Sequence, residues 1–118
     1  MTPTDSLETL RDALREFAAA REWEQFHTPK NLAMALSGEA GEVIEHFQWL
    51  TAEQSAALPD GVRGEVALEL ADVLLYLVRL ADVLGIDLAE AARRKLAINA
   101  ERYPVEAARG RADKYDRL

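Results

Sequence analysis

Four amphipathic segments repeat their apolar residues every three or four positions, and each is bounded by residues that typically begin or end helices. This repeat places the apolar side chains on one face of an α-helix. The predicted helices run from a cap at Asp5 to about residue 20, then over about 29–49, 62–84 and 88–102. No segment alternates apolar and polar residues as a half-buried strand does. The sequence therefore predicts an all-α fold resembling a four-helix bundle, in a single domain of residues 1–118 with a C-terminal arm at 105–118.

These boundaries rest on capping residues and on glycine and proline positions. The start signals are Asp5 with Glu8, Thr28 before Pro29, Thr51 with Gln54 for a short turn, Pro59-Asp60-Gly61, and Asp87 with Glu90. The stop signals are Gly85 and Tyr103-Pro104. Gly38 and Gly41 lie inside the second helix, where they indicate either tight helix packing or close approach of a ligand.

Composition narrows the class of protein. The chain has 118 residues with 49% apolar composition, enough to form one hydrophobic core. It has no cysteine, so a metal ion would be held by oxygen or histidine. Its net charge of −7 disfavours binding to nucleic acid polymers. The longest uncharged apolar run, VLLYLV, is too short to span a bilayer, and the N-terminus does not resemble a signal peptide, so we expect a cytoplasmic protein without membrane contact.

Two acidic pairs stand beside apolar stripes on successive predicted helices. Glu39 and Glu42 lie three residues apart on the second helix, as do Glu69 and Asp72 on the third. If the two helices pack antiparallel, all of these carboxylates converge on one small volume. Clustered carboxylates either raise their pKa values or bind a cation, and oxygen ligands of high charge density favour Mg²⁺. The alternatives are a solvated acidic seam or ion pairs with arginine and lysine.

The predicted third helix is apolar on nearly all sides. Val66, Leu70 and Leu77 share one face, whereas Leu68 and Val78 lie on others. A helix of this kind is usually buried all round, which a four-helix monomer of this size cannot easily arrange. We therefore expect an oligomer.

An ordered series of motifs resembles a known family. REWEQFHTPKNL, GEAGEVIEHFQW, ELADVLLYL and KLAINAERYP occur in this order. Together they resemble the all-α nucleoside triphosphate pyrophosphohydrolases of the MazG-like superfamily, and in particular its dCTP pyrophosphatase branch. The resemblance implies hydrolysis between the α and β phosphates, which releases a monophosphate and pyrophosphate, in nucleotide-pool house-cleaning by a homotetramer.

The resemblance also implies roles for particular residues. Glu39, Glu42, Glu69 and Asp72 would coordinate Mg²⁺, and both Glu42 and a hydroxide on the metal are candidates for the general base. The implied substrate contacts are Trp23 and Trp49 around the base, Tyr76 at the deoxyribose, and Lys95 and Asn99 at the phosphates or sugar. Arg102 continues the polar stripe of Lys95 and Asn99. In the tail, Arg109, Lys114 and Tyr115 would close over the phosphates.

Other positions are assigned less specific roles. Glu45 is expected either to be solvated or to support a metal ligand without binding the metal itself, and His46 either to pack beside the acids or to support a ligand in the same way. Leu14 stands where mammalian members of the family carry a histidine near the nucleotide, a difference that bears on cytosine preference and leaves the metal chemistry unchanged. Two further readings stay open. One keeps the fold and metal with dUTP or a phosphoribosyl nucleotide as substrate, and the other is a non-catalytic helical interaction module.

Overall fold

The computed structural model describes residues 6–118, which form six α-helices and two 3₁₀ turns. The α-helices are α1 (Leu7–Ala20), α2 (Pro29–Glu45), α3 (Ala52–Ser55), α4 (Asp60–Val83), α5 (Leu88–Arg102) and α6 (Val105–Ala108). The 3₁₀ turns are Glu24–Phe26 and Tyr115–Arg117. No strand occurs within residues 6–118, and the predicted all-α class is confirmed. The four long helices α1, α2, α4 and α5 correspond to the four that the sequence predicts.

The chain divides into two compact units, Met1–Gly85 and Ile86–Leu118. In the first, α4 packs against both α1 and α2. His27, just before α2, hydrogen-bonds Arg79 near the end of α4, whereas His46, just after α2, lies beside Glu65 near its start. Helices α2 and α4 are therefore antiparallel. This is the arrangement that the convergence of the acidic pairs requires.

Most predicted helix boundaries are confirmed by their caps. The Thr28 hydroxyl accepts a hydrogen bond from the Asn31 amide, and the Asp87 carboxylate accepts one from the Glu90 amide. Thr51 and Gln54 form a complete capping box at α3. Gly85 follows α4 with φ of +69°, a left-handed conformation that glycine adopts without steric cost.

Helix α1 begins differently from the prediction. Its N-cap is Ser6, whose hydroxyl accepts a hydrogen bond from the Thr9 amide at 3.0 Å. The predicted cap, Asp5, lies outside the described residues. Adjacent serine and aspartate are both strong N-cap residues, so the sequence alone does not decide between them.

The prediction that the second helix extends to about Trp49 is wrong, because α2 ends at Glu45. From His46 onward the backbone tightens, and the Phe47 amide donates to the carbonyl three residues earlier, that of Ile44. No glycine or proline marks this end, and the apolar Phe47 and Leu50 continue the helical repeat in the sequence. The periodicity therefore indicated a helix one turn longer than the observed one.

Gly38 and Gly41 have no close neighbour in the described part of the chain. A methyl group added at either position would meet no atom within 4 Å. Within residues 6–118, therefore, no close helix packing accounts for these two glycines.

Helix α1 ends in a Schellman motif that positions Trp23. The Trp23 amide donates to the Ala18 carbonyl, and the Glu22 amide donates to that of Ala19. Glu22 has φ of +54°, so a non-glycine residue occupies the left-handed position. The motif reverses the chain and brings the Trp23 ring to 5.7 Å from that of Phe17.

The first unit has a small core, and many of its large apolar side chains are exposed. Its buried apolar side chains are Ala18, Leu32, Val66, Val78 and Ala81. Leu68, Leu70, Leu74 and Leu77 of α4 are exposed even though they are large and apolar. None of the helices in the described part of the chain combines the length and apolar character needed to cross a membrane.

In the second unit, the C-terminal residues pack beside the end of α5. The Tyr115 ring contacts that of Tyr103 edge to face at 6.1 Å, and the Arg102 guanidinium lies 4.7 Å from the Tyr115 ring centre. Arg111 also pairs with Asp113 and donates to the Arg117 carbonyl. The segment predicted as a C-terminal arm is therefore ordered by contacts within its own unit.

Candidate active site

Helices α2 and α4 bring together the four predicted acids, Glu39, Glu42, Glu69 and Asp72. One oxygen from each carboxylate lies within 4.8 Å of one oxygen from each of the others. The spacing of three residues within each pair puts both acids on one side of their helix, and the antiparallel register sets the pairs opposite each other. We call this group the acid cluster.

Two oxygens of the acid cluster are buried without a partner. Oε2 of Glu39 and Oε2 of Glu69 have no hydrogen-bond donor among the described residues, whereas Glu42 and Asp72 are exposed. Burial raises the pKa of the Glu39 carboxyl, and a hydrogen bond with Glu42 and repulsion from the neighbouring acids raise it further. For Glu69, a hydrogen bond with Glu42 raises the pKa first, and burial adds to it.

These observations fit a divalent cation. Buried carboxylate oxygens without partners cost free energy, which a cation bound between them offsets. No arginine or lysine within residues 6–85 forms an ion pair with the acid cluster, so arginine and lysine neighbours do not neutralise it there. An acidic seam fully open to solvent is also inconsistent with the buried oxygens of Glu39 and Glu69. The residues present are therefore suited to hold a hard metal ion.

His46 lies beside the acid cluster. Its Nε2 is 3.8 Å from Oε1 of Glu69, and its Nδ1 is 4.0 Å from Oε2 of Glu65. Both distances exceed those of a hydrogen bond. His46 thus borders the acids from the end of α2, while Glu45 before it is exposed.

A cavity of about 90 Å³ adjoins the acid cluster. The side chains that line it come from α1, α4 and the segment between α1 and α2, and are Leu14, Phe17, Trp23, His27, Asp72, Leu75, Tyr76 and Arg79. Asp72 therefore belongs to both the cavity and the acid cluster. A ligand in the cavity could extend directly to a cation held by the acids.

The cavity wall contains two of the predicted substrate residues, Trp23 and Tyr76. The Trp23 ring contacts those of Phe17 and His27 edge to face, with centroid distances of 5.7 Å and 6.3 Å. Trp49 does not line the cavity. It lies in the turn after α2, where it is 86% exposed.

A network of polar side chains that the sequence did not predict lies at the cavity, and two of its members, His27 and Arg79, line the wall. Arg79 is only 8% exposed, and its Nε donates to Nδ1 of His27 at 3.0 Å. Asp82 accepts two hydrogen bonds from Arg15 of α1, at 2.6 and 2.8 Å, and a longer one of 3.5 Å from Arg79. The one sequence signal was that Arg79 interrupts the apolar run VLLYLV. Its partner His27 lies 52 residues away, and nothing in the local pattern connects them.

The contacts in this polar network determine the charge states of His27 and Asp82. Burial lowers the pKa of His27, and the positive charge of Arg79 lowers it further. The hydrogen bond from Arg15 lowers the pKa of the Asp82 carboxyl. At neutral pH the imidazole is therefore neutral and the carboxylate is charged.

The remaining predicted substrate residues belong to the second unit. Lys95 and Arg102 of α5 are exposed, and Asn99 is partly buried. The Arg102 guanidinium lies over the Tyr115 ring, while Lys114 lies farther from the same ring.

Comparisons with known proteins agree on one family. The sequence model of the MazG-like family matches residues 34–118. The dCTP pyrophosphatase 1 of Mus musculus is 46% identical to this chain, with 99% of this chain and 70% of that protein aligned. The Bos taurus protein of the same name is 47% identical, with 96% and 68% aligned. A crystal structure of a pyrophosphatase from Archaeoglobus fulgidus matches with a TM-score of 0.79 and 44% identity, and covers 83% of this chain and 92% of that one.

Proposed function

This chain belongs to the MazG-like family, and we propose that it hydrolyses dCTP, or a related or modified deoxynucleoside triphosphate, to the monophosphate and pyrophosphate. The observation that carries the proposal is the shared position of Asp72, which joins the acid cluster to the cavity. A nucleotide matches this arrangement, because its flat base suits the cavity and its anionic phosphate chain suits a cation held by the acid cluster. The names of the aligned relatives, dCTP pyrophosphatase 1, support the choice of substrate.

We assign the acid cluster to Mg²⁺. Glu39, Glu42, Glu69 and Asp72 would hold the ion, with the partnerless oxygens of Glu39 and Glu69 among the ligands. When bound, the ion supplies positive charge for the phosphate oxygens and lowers the pKa of a coordinated water. Glu42 is our candidate for the general base, because its exposed carboxylate can accept a proton from the attacking water.

We assign the cavity to the base. A cavity of about 150 Å³ in another protein accommodates benzene, so the volume of about 90 Å³ here suits one partly inserted ring better than a purine. Trp23 offers an indole surface on which a base can stack, which is worth about 1–3 kcal/mol. Tyr76, in the same wall, is assigned to the deoxyribose.

The other assignments do not depend on the cavity. We propose that Lys95, Asn99 and Arg102 contact the phosphates or sugar and that Trp49 covers the base. We further propose that the active form is a homotetramer of single-domain chains in the cytoplasm, and that nucleic acid polymers are not substrates. The net charge of −7 supports the last point.

Pyrophosphate release from a panel of nucleotides tests the function. The panel contains dCTP, 5-methyl-dCTP, dUTP, dTTP, dATP, CTP and a phosphoribosyl nucleotide, each assayed with Mg²⁺ and with a chelator. We expect the highest kcat/KM for dCTP or its methylated form, with dCMP and pyrophosphate as products. Release of inorganic phosphate and dCDP, or a preference for purines, would contradict the proposal.

Variants of the acid cluster provide the matched controls. Glu39→Gln and Asp72→Asn should each lower kcat/KM by at least about 100-fold. Mutation of a residue that only supports a metal ligand already lowers metal affinity or activity by about 10- to 100-fold. Glu45→Gln changes an exposed acid at the end of the same helix as Glu39 and should leave activity unchanged. Equal loss in all of these variants would indicate a general charge effect.

A melting experiment separates the enzyme from an interaction module. A ligand that binds only the native state stabilises it by about 2.7 kcal/mol at 100 times its Kd. We expect Mg²⁺ to raise the melting temperature of the unaltered protein and to lose this effect in Asp72→Asn. An interaction module would melt at the same temperature with and without Mg²⁺.

A further inference from the structure

Arg79 is a buried cation whose hydrogen-bonding capacity is only partly used. It is 8% exposed, and arginine carries five N–H donors in a planar fork. Its Nε donates to Nδ1 of His27 at 3.0 Å, and its Nη1 reaches Asp82 only at 3.5 Å. Both oxygens of Asp82 accept shorter hydrogen bonds from Arg15. The remaining N–H groups of Arg79, including both on Nη2, therefore have no partner within residues 6–118.

The unpaired donors of Arg79 open onto the cavity. Among the described residues, the fully buried side-chain atoms without a hydrogen-bond partner are Oε2 of Glu39 and Oε2 of Glu69, so Nη2 of Arg79 is not sealed inside the protein. Arg79 lines the cavity and has little other exposure. A largely buried donor without a partner costs free energy, which an acceptor on a bound ligand offsets.

Helix α4 places Arg79 at a definite distance from the acid cluster. Asp72, Tyr76 and Arg79 follow one another at i, i+4 and i+7 on one face of the helix, and all three line the cavity. The helical rise puts Arg79 about 10 Å along the axis from Asp72. A nucleotide with its phosphates at the acid cluster and its sugar at Tyr76 would therefore extend its base toward Arg79.

The surroundings of Arg79 suit a flat, neutral ring. Its partner His27 contacts the Trp23 ring edge to face, and Trp23 contacts Phe17 in the same way. The aliphatic side chains of the cavity wall are Leu14 and Leu75. A phosphate group would lose its hydration among these side chains, which is costly. The acceptor that Arg79 meets is therefore expected to belong to the base.

We propose that Arg79 is a specificity-determining residue whose unpaired N–H groups donate to N3 and O2 of a cytosine base. The identity of the ligand rests on the proposed function. Cytosine presents N3 and O2 as adjacent acceptors, and an arginine fork binds such a pair in O6 and N7 of guanine. N3 of uracil and thymine carries a proton and would oppose a donor. Arg79 thus favours cytosine over the other pyrimidines.

Replacement of one ligand atom tests the contact in the unaltered protein. In 3-deaza-dCMP a C–H group replaces N3 of dCMP, while the sugar and phosphate stay the same. Binding of the two compounds in Mg²⁺ buffer is compared by calorimetry. We expect 3-deaza-dCMP to bind at least about 10-fold more weakly, since a lost bidentate contact has an effect of this order. Equal binding of the two compounds would overturn the proposal.

Arg79→Met assigns this difference in affinity to the guanidinium. The variant removes every donor of Arg79 but keeps an unbranched side chain. We expect it to bind dCMP about 10-fold more weakly than the unaltered protein does, and to bind dCMP and 3-deaza-dCMP with nearly equal affinity, because N3 and Arg79 act as a pair. Arg63→Met removes an exposed arginine of the same helix and should keep the full difference. A full difference in Arg79→Met would overturn the proposal, since another group would then recognise N3.

His27→Phe separates the donors of Arg79 from an effect that acts through its partner. Arg79 also contacts the imidazole, so its removal alters His27 as well. We expect His27→Phe to keep the difference in affinity between dCMP and 3-deaza-dCMP, because Arg79 is still present. Loss of this difference in His27→Phe would overturn the proposal, since the imidazole would then recognise N3.

The readouts distinguish failure of this inference from failure of the proposed function. If no nucleotide is hydrolysed but recognition of N3 depends on Arg79, the enzyme proposal fails and the base contact stands. If dCTP is hydrolysed but replacement of N3 leaves binding unchanged, the function stands and the inference fails. Absence of both hydrolysis and dCMP binding overturns both.

Discussion

Glu39 illustrates how the free energy of one side chain links the fold to the site. Its carboxyl is partly buried among other acids, and its pKa is raised by burial first and then by these neighbours. A raised native pKa means that the charged form is less favourable in the folded protein than in the unfolded one. Ionisation of Glu39 therefore destabilises the metal-free protein at neutral pH.

We predict that Glu39→Gln raises the free energy of unfolding of the metal-free protein at neutral pH. The gain should disappear as the pH falls below the ordinary glutamate value of about 4.3, where the native acid is already neutral. Urea unfolding in the presence of a chelator, repeated at several pH values, measures this. Glu45→Gln is the control and should show no comparable gain, whereas a loss of stability in Glu39→Gln would indicate a structural role for this acid.

The ionisation of Asp82 affects stability in the opposite direction to that of Glu39. Its pKa is lowered by the hydrogen bond from Arg15, so the charged carboxylate stabilises the fold at pH values above its unfolded pKa of about 3.9. This stability should be lost as the pH falls through the lowered native pKa.

We predict that Asp82→Asn destabilises the protein at pH 7 and flattens the acid limb of its stability curve. Thermal unfolding between neutral pH and pH 3 would measure both effects. Asp12→Asn, an exposed partner of Arg15 on the same helix, should change the curve much less. Equal changes in the stability curves of Asp82→Asn and Asp12→Asn would contradict a specific role for the Asp82 carboxylate.

At the scale of the helices, the turn after α1 positions the Trp23 wall of the cavity at the cost of backbone strain. Glu22 holds a left-handed conformation with φ of +54°. Such a conformation costs an L-residue about 1–2 kcal/mol, part of which glycine recovers.

We predict that Glu22→Gly stabilises the protein by about 0.5–1 kcal/mol, because glycine removes the strain but adds entropy to the unfolded state. Chemical denaturation measures the difference. Glu16→Gly makes the same change inside α1, where it should destabilise by about 1 kcal/mol. Destabilisation by both variants would show that the turn carries no strain.

Leu32 anchors α2, the helix that carries half of the acid cluster. It is 2% exposed, so its removal leaves a cavity in the core of the first unit. We predict that Leu32→Ala destabilises the protein by about 2–5 kcal/mol. Met34→Ala on the same helix removes a side chain that is 64% exposed and should change stability little. Similar effects in both would mean that Leu32 is not a core residue in solution.

The helix boundaries show which features can be predicted from neighbouring residues in the sequence. Thr28, Gly85 and Asp87 act through their nearest neighbours, so their caps were predicted from the sequence. The end of α2 at Glu45 was not, because the tightening of its last turn has no glycine or proline signal. The same local rule explains why the acidic pairs were found, since three-residue spacing is a property of one helix.

At the scale of the whole molecule, the described chain combines a small buried core with many exposed large apolar side chains. Leu68 of α4 is 71% exposed, and Leu70 is 53% exposed. Leu70, Leu74 and Leu77 lie on one face of α4 at helical spacing and are all exposed, and contiguous exposed apolar surface of this kind typically marks an interface. This supports the proposed homotetramer.

We predict that the unaltered protein elutes in size-exclusion chromatography with light scattering at the mass of a tetramer. Combined Leu68→Lys and Leu70→Lys should shift it to a smaller species, since these charges cannot be buried in an apolar interface. Arg63→Glu, an exposed charge reversal on the same helix, should leave the mass unchanged. A monomeric unaltered protein would contradict the assembly.

The part of the site that could not be predicted depends on tertiary register. Arg79 and His27 meet only because α2 and α4 are antiparallel with a particular offset. A buried arginine in an apolar run is a signal that some partner exists, but the sequence does not identify that partner. For the same reason, the cavity shared by Trp23, Tyr76 and Asp72 became visible only in three dimensions.

The central claim is that the acid cluster binds a metal ion next to the nucleotide. The most direct measurement is an anomalous-difference map from crystals grown with Mn²⁺, a substitute for Mg²⁺, and a non-hydrolysable dCTP analogue. We predict a peak contacting carboxylate oxygens of Glu39, Glu42, Glu69 and Asp72, with the cytosine ring in the cavity beside Trp23. A map with no peak among these oxygens, although the analogue is bound, would contradict the account.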